Sequence, residues 1–183
     1  MAETLLLRHY TGASGAPTIT DITSLNTRLN TSDTHAAAGT ANPIPIPTAG
    51  TNYSYWAALR ADCTVTPTTS VSNLRWYFDG TNSSPAGVTW KAQEATAYVQ
   101  ATGTSGTTGL QLTVGNYATL TGAPVDPFAN FTVATPKSIA GSIANPSTGP
   151  FGSWFVVQLE VASTCGTTGA ITAETASMVY DAT

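Results

Sequence analysis

The chain has 183 residues, with 6 Lys plus Arg, 10 Asp plus Glu and a formal net charge of −4. That length fits one domain, or one domain with an arm, and so few, scattered cations exclude a nucleic-acid surface, which needs clustered positive charge to displace counterions from phosphates. Charged residues make up only 9% of the chain, against about 25% in ordinary globular proteins, while Thr, Ala, Gly and Pro abound, as in a β-rich protein with many turns.

The first predicted strand is TLLLRHY at 4–10. Its three-leucine run lacks the basic flank and the longer apolar stretch of a secretory signal, and no apolar run approaches the roughly 20 residues of a membrane span. Synthesis and folding in a cytoplasm, with no membrane partner, is the expectation. In ITDITSLNTRL, Ile19, Ile22, Leu25 and Leu29 recur near the helical period; a short helix is the expectation there, although the threonines disfavour it.

Residues 42–56 read NPIPIPTAGTNYSYW. In an extended strand, residues i and i+2 point their main-chain groups to the same edge. Pro43, Pro45 and Pro47 therefore strip donors from one edge, while Ile44 and Ile46 keep theirs on the other. The segment predicts a one-sided edge or docking strand, or else a polyproline-like arm. Pro43, Ile44, Pro45, Ile46 and Pro47 are accordingly the candidate subunit or capsid contact, with the two isoleucines as anchors on either their own domain or a neighbour.

Clear period-2 alternation follows. In YSYWAALRADCTV, Tyr53, Tyr55, Ala57, Leu59, Ala61, Cys63 and Val65 share one face, opposite Trp56, Arg60, Asp62 and Thr64. In VSNLRWYFDG the face is Leu74, Trp76 and Phe78, closed by the turn dipeptide Asp79-Gly80. Shorter strand candidates are GVTWKA at 87–92, ATAYVQA at 95–101, LQLTV at 110–114, FANFTVA at 128–134 and SIAGSI at 138–143, with turns such as TSGTTG at 104–109 between them. In SWFVVQLEVAS the face is Phe155, Val157, Leu159 and Val161, and a weaker alternation ends the chain in AITAETASMVYD. The expected fold is all-β: an antiparallel β-sandwich of jelly-roll or Ig-like type over 51–183, preceded by an N-terminal strand or arm region over 1–50.

Catalytic patterns are missing. His9 and His35 are the only histidines and neither lies near a GxSxG motif. The carboxylates Asp62, Asp79, Glu94, Asp126, Glu160 and Glu174 are scattered, with no calcium-loop pattern among them. The glycine-rich GTSGTTG lacks a GK[ST] ending and precedes a strand, so it reads as a turn. Cys63 and Cys165 stand outside any CxxC motif, which predicts free, partly buried thiols and no zinc. No catalytic residue, metal or cofactor is expected. Trp56 and Tyr77 form a candidate aromatic binding face, able to stack on sugars or anchor a partner if exposed; burial on both faces of the sheet is the competing reading.

NPIPIPTAGTNYSYW, SNLRWYFDG, GVTWKA followed by AYVQATG, and the ending MVYDAT together give a chain that, from residue 20 or so to its end, resembles uncharacterised virion structural proteins of tailed bacteriophages. The resemblance implies a non-enzymatic virion β-sandwich, foremost a capsid decoration (cement) protein that assembles by symmetric contacts. The implied partners are itself, as a homo-oligomer such as a trimer, and the major capsid or tail proteins. The alternative is a tail or fibre component, or a receptor- or glycan-binding module using exposed aromatics.

Overall fold

The computed structural model describes residues 3–183 as an all-β sandwich. Its elements in chain order are β1 (Thr4–Thr11), β2 (Thr18–Asp21), β3 (Thr51–Tyr53), β4 (Ala57–Val65), β5 (Ser70–Phe78), β6 (Val88–Ala95), β7 (Gly103–Thr104), β8 (Thr108–Gly109), α1 (Pro127–Asn130), β9 (Lys137–Ile139), β10 (Ile143–Ala144), β11 (Gly149–Ala162) and β12 (Ala176–Ala182). All strand pairings between these elements are antiparallel.

The larger sheet is organised around β11, whose 14 residues make it the longest strand. One flank of β11 carries β6, in register from Trp154↔Ala95 to Val161↔Val88. The other carries β4 and, beyond it along the same edge, β3. β1 then pairs with β4, and β2 with β1. Residues 4–21 are thus two strands of the main sheet. The smaller sheet is centred on β5, with β12 on one flank and β9 and β10 sharing the other. A short hairpin, β7–β8, stands apart.

The faces follow from alternation. Ala57, Leu59, Ala61 and Cys63 of β4, with Phe151, Phe155 and Val157 of β11, meet Leu74, Trp76 and Phe78 of β5 in one core. Trp76 stacks on Phe155 with centroids 4.8 Å apart and planes 8° from parallel. The sheets also touch through their main chains. A Cβ on Gly141 would collide with the Cα of Gly152, and the Ser153 amide donates to Ala140 O at 2.8 Å. Both glycines have positive φ (120° and 71°), a region a side chain would strain.

The outer face of the main sheet is buried as well. Trp56, Ala58, Val156 and Ala95 pack under Ala101, Leu112 and Tyr117 from the long connection between β6 and α1. Gln158 of β11, fully buried among apolar neighbours, holds that connection down. Its Oε1 accepts from the Leu112 amide at 2.6 Å, and its Nε2 donates to Ser54 O and Leu110 O, each at 2.7 Å. At the far end of β11, Val88, Leu159, Val161 and Cys165 form a third cluster, capped by Leu29, Ile44, Ile46 and Ile171.

Several local expectations are corrected. ATAYVQA and LQLTV make no ladder beyond Ala95: their apolar residues cover the outer face of the sheet, a role that needs alternation but no strand partner. FANFTVA holds α1, because Asp126 caps the Phe128 amide at 2.9 Å and Pro127 takes the first helical position. ITDITSLNTRL is β2 followed by irregular chain instead of a helix. Ile19 and Leu25 are about half exposed, Ile22 enters the core and Leu29 packs at its margin. SIAGSI is split into β9 and β10 by the glycine contact just described.

Candidate functional site

Residues 43–47 form no ladder, so the edge-strand expectation gives way to an extended, docked segment. Its carbonyls are used in place of the missing amides. The Thr31 amide and hydroxyl donate to Asn42 O, the same hydroxyl reaches Pro43 O at 3.0 Å, and Asn52 Nδ2 donates to Pro45 O at 2.8 Å. Ile44 and Ile46 point onto the Leu159–Val161 cluster of their own domain, while Pro43 and Pro45 stand exposed. Pro47 is half-buried at the end of the segment.

Trp56 and Tyr77 are not brought together. Trp56 is 4% exposed, donates its Nε1 to Val99 O at 2.9 Å and packs against Tyr117. Tyr77 is half-buried on the opposite sheet, alternating outward from Leu74, Trp76 and Phe78. The outer layer around Trp56 is a second core instead of a display surface. Arg60 lies over the Trp154 ring at 4.1 Å and donates to Gly152 O, and Tyr10 meets Trp154 edge-on at 6.0 Å. Burial raises the Tyr98 hydroxyl pKa and pushes that of Tyr117 up to about 12.

The two histidines, 26 residues apart and without a shared motif, do meet. His9 Nδ1 lies 3.2 Å from His35 Nδ1, so one ring donates and the other accepts. Burial, and secondarily the charge of His35, lowers the His9 pKa to about 4, which keeps the ring neutral. His35 Nε2 is buried without a hydrogen-bond partner among the described residues. Asp33 is nearby but engaged elsewhere: its Oδ2 accepts from the Gly12 amide at 3.0 Å and from Gln100 Nε2 at 2.7 Å. That pairing fixes the wall of an open groove of about 500 Å³ lined by Gly12, Ser32, Asp33, Tyr55, Gln100 and Ser105. No carboxylate–histidine–hydroxyl relay forms from these contacts, and among the described residues no group of three His, Cys, Asp or Glu side chains is placed to hold a metal. Cys63 and Cys165 are free and buried in separate clusters, and burial raises the Cys63 thiol pKa.

The sheet edges differ sharply in how they end. β2 has only four residues. The outer edge of β6 is covered, since Ala92 and Val125 exchange main-chain hydrogen bonds and the Thr121 amide donates to Glu94 O. β9 and β10 have three and two residues, separated by a break, with Lys137 on the edge. β12 has none of these devices. Its seven residues, ASMVYDA, lie beside β5 with no Pro, Lys or Arg, and the pairing shifts register once, between Val179 and Asp181. Its one charge, Asp181, is already held by Arg75 Nη2 at 2.8 Å and Asn73 Nδ2 at 2.6 Å. Asn73, at φ 56°, is the extra residue of a bulge in β5 opposite Val179–Asp181.

The two margins of the small sheet are held differently. β9 sits over β11 and β6, tied by the Ser153–Ala140 bond, by Ala140 N to Glu94 Oε1 at 2.9 Å and by the Lys137–Glu94 ion pair at 3.4 Å. β12 is the other margin of the small sheet, and its inward Met178 and Tyr180 are half-buried against the main core, as are Leu5 and Leu7 of β1. The sequence reading passed over this edge; its visible signal was a terminal strand with weak alternation and a single charge. Compared with known protein families, with curated proteins and with solved structures, the chain matches none.

Proposed function

We propose that this protein is a non-enzymatic structural subunit of a virus particle, a capsid decoration protein made in the host cytoplasm that joins neighbouring subunits by adding a β-strand at β12. The uncovered seven-residue β12 edge carries this reading. Natural sheets shorten, charge, bulge or cover their edges to prevent such pairing, and this chain does so at β2, β6, β9 and β10. An edge left open beside a half-covered core is suited to a partner strand. The low charge and the sequence resemblance to virion proteins support the same reading. The exposed Pro43 and Pro45, held rigid from beneath by Ile44 and Ile46, supply a second, stiff surface for contact with the capsid shell, where little ordering entropy is lost on docking.

Sedimentation equilibrium tests the reading. The expected result is a mass that rises with concentration above the 18.8 kDa of one chain, together with immunogold labelling of intact particles. A chain that stays monomeric at millimolar concentration and labels no particle would refute it.

A further inference from the structure

We propose that the strand received by β12 is the β12 of a second copy, antiparallel, related by a two-fold axis at Val179, so that the two small sheets become one continuous sheet. The inference rests on the assembly reading above and adds the partner and the register.

The argument starts from which chain could cover the edge. Within the protein the end of β12 is tied back, because Thr183 exchanges main-chain hydrogen bonds with Ser70 and accepts from the Thr69 amide. Among the described residues no strand pairs with the outer flank of β12, and no other main-chain hydrogen bond reaches its residues 176–182. The strand is also complementary to itself. A two-fold axis makes an interface in which residue i meets j and j meets i, and an antiparallel strand pair can satisfy that at any chosen centre.

Centred on Val179, the inward Met178 lies opposite the partner's Tyr180, and a thioether beside an aromatic ring is a favourable contact. Both are half-buried residues of the main core, so the apolar layer continues across the junction. On the outward face Val179 meets its own copy, and each Asp181 lies opposite a Ser177 hydroxyl. Moving the centre one residue to Tyr180 would place each Val179 opposite an Asp181, an apolar group against a charge. The charge pattern therefore selects the first register. Asp181 needs no partner from the second copy, since Arg75 and Asn73 of its own chain already hold it.

The test uses outward residues, so that folding is not at stake. Val179→Cys places two thiols directly opposite each other at the axis, at a cross-strand separation of about 4.5–5.5 Å between Cβ atoms. A short bis-maleimide should then give a covalent dimer whose peptide map locates the link at residue 179. Ser177→Asp sets like charges opposite each other twice per dimer and should raise the dissociation constant about tenfold, whereas Ser177→Lys should lower it. Circular dichroism checks that each variant keeps the parent fold. An oligomer that forms normally but cross-links at another site, or is indifferent to both Ser177 substitutions, would overturn the β12 pairing while leaving the assembly reading intact. Cross-linking only to a different protein would overturn the second copy as occupant. A strictly monomeric parent would overturn both.

Discussion

Gln158→Leu removes one polar side chain and three hydrogen bonds while nearly conserving volume. The substitution leaves the Leu112 amide and the Ser54 and Leu110 carbonyls without their partner. The first two bonds are fully buried, and the third is only partly so, which lets water replace it. Each buried group orphaned in this way costs about 1–3 kcal/mol, so two of them cost roughly 2–6 kcal/mol. The added apolar burial of Leu returns about 1 kcal/mol, and the net loss expected is about 3 kcal/mol, a large share of a typical stability of about 5–15 kcal/mol. Urea unfolding followed by Trp fluorescence should show the midpoint falling by about 1–2 M, and hydrogen exchange at the Leu112 amide should accelerate. Gln158→Glu sharpens the test. Its carboxyl would face two carbonyls and stay protonated, raising its folded-state pKa. Stability of that variant is then greatest below about pH 4 and is lost as pH rises through the folded pKa. A midpoint within about 0.2 M of the parent for Gln158→Leu, with unchanged exchange at Leu112, would show that the connection is held by packing alone.

Three further perturbations have defined outcomes. Because His9 is neutral in the fold, with its pKa lowered to about 4 from 6.5, the unfolded chain takes up the proton first; stability contributed by this site is complete above pH 6.5 and declines by up to about 3 kcal/mol as pH falls to 4. His9→Gln should flatten that dependence in urea titrations at stepped pH. Phe155→Ala deletes a fully buried ring that stacks on Trp76 and should cost about 3–5 kcal/mol, read by thermal unfolding together with loss of the near-ultraviolet Trp signal. Ile44→Asp combined with Ile46→Asp should free the proline segment, costing about 2–4 kcal/mol and opening residues 42–50 to limited proteolysis before global unfolding.

The sandwich was legible wherever one face of a strand meets the central core. Leu74, Trp76 and Phe78 recur at period 2 because β5 has the core beneath it and an open face above. The same rule worked on β4 and β11, although there the second face, with Trp56, Val156 and Gln158, is buried too. It misled at ATAYVQA and LQLTV, which satisfy the alternation as covers lying across a sheet and not as rungs within it. The proline segment was legible in its anchors, since Ile44 and Ile46 do point inward, but not in its hydrogen bonds, which run from Thr31 and Asn52 to its carbonyls. The His9–His35 contact joins residues 26 apart through a loop fold that no local pattern encodes. The β12 edge was hidden for a different reason: what distinguishes it is the covering it lacks, and that depends on where the other segments go.

Gly141 and Gly152 give the sandwich a spine. Side chains normally hold two packed sheets about 10 Å apart, yet along this line backbone lies against backbone and a hydrogen bond stitches one sheet to the other. The two sheets are consequently bound backbone to backbone beside β9, while at the opposite margin Met178 and Tyr180 of β12 stay half-buried against the core. The Trp76–Phe155 stack lies between these two margins. Two residues without side chains, on the flank of β5 away from β12, thereby set how closely the two sheets approach.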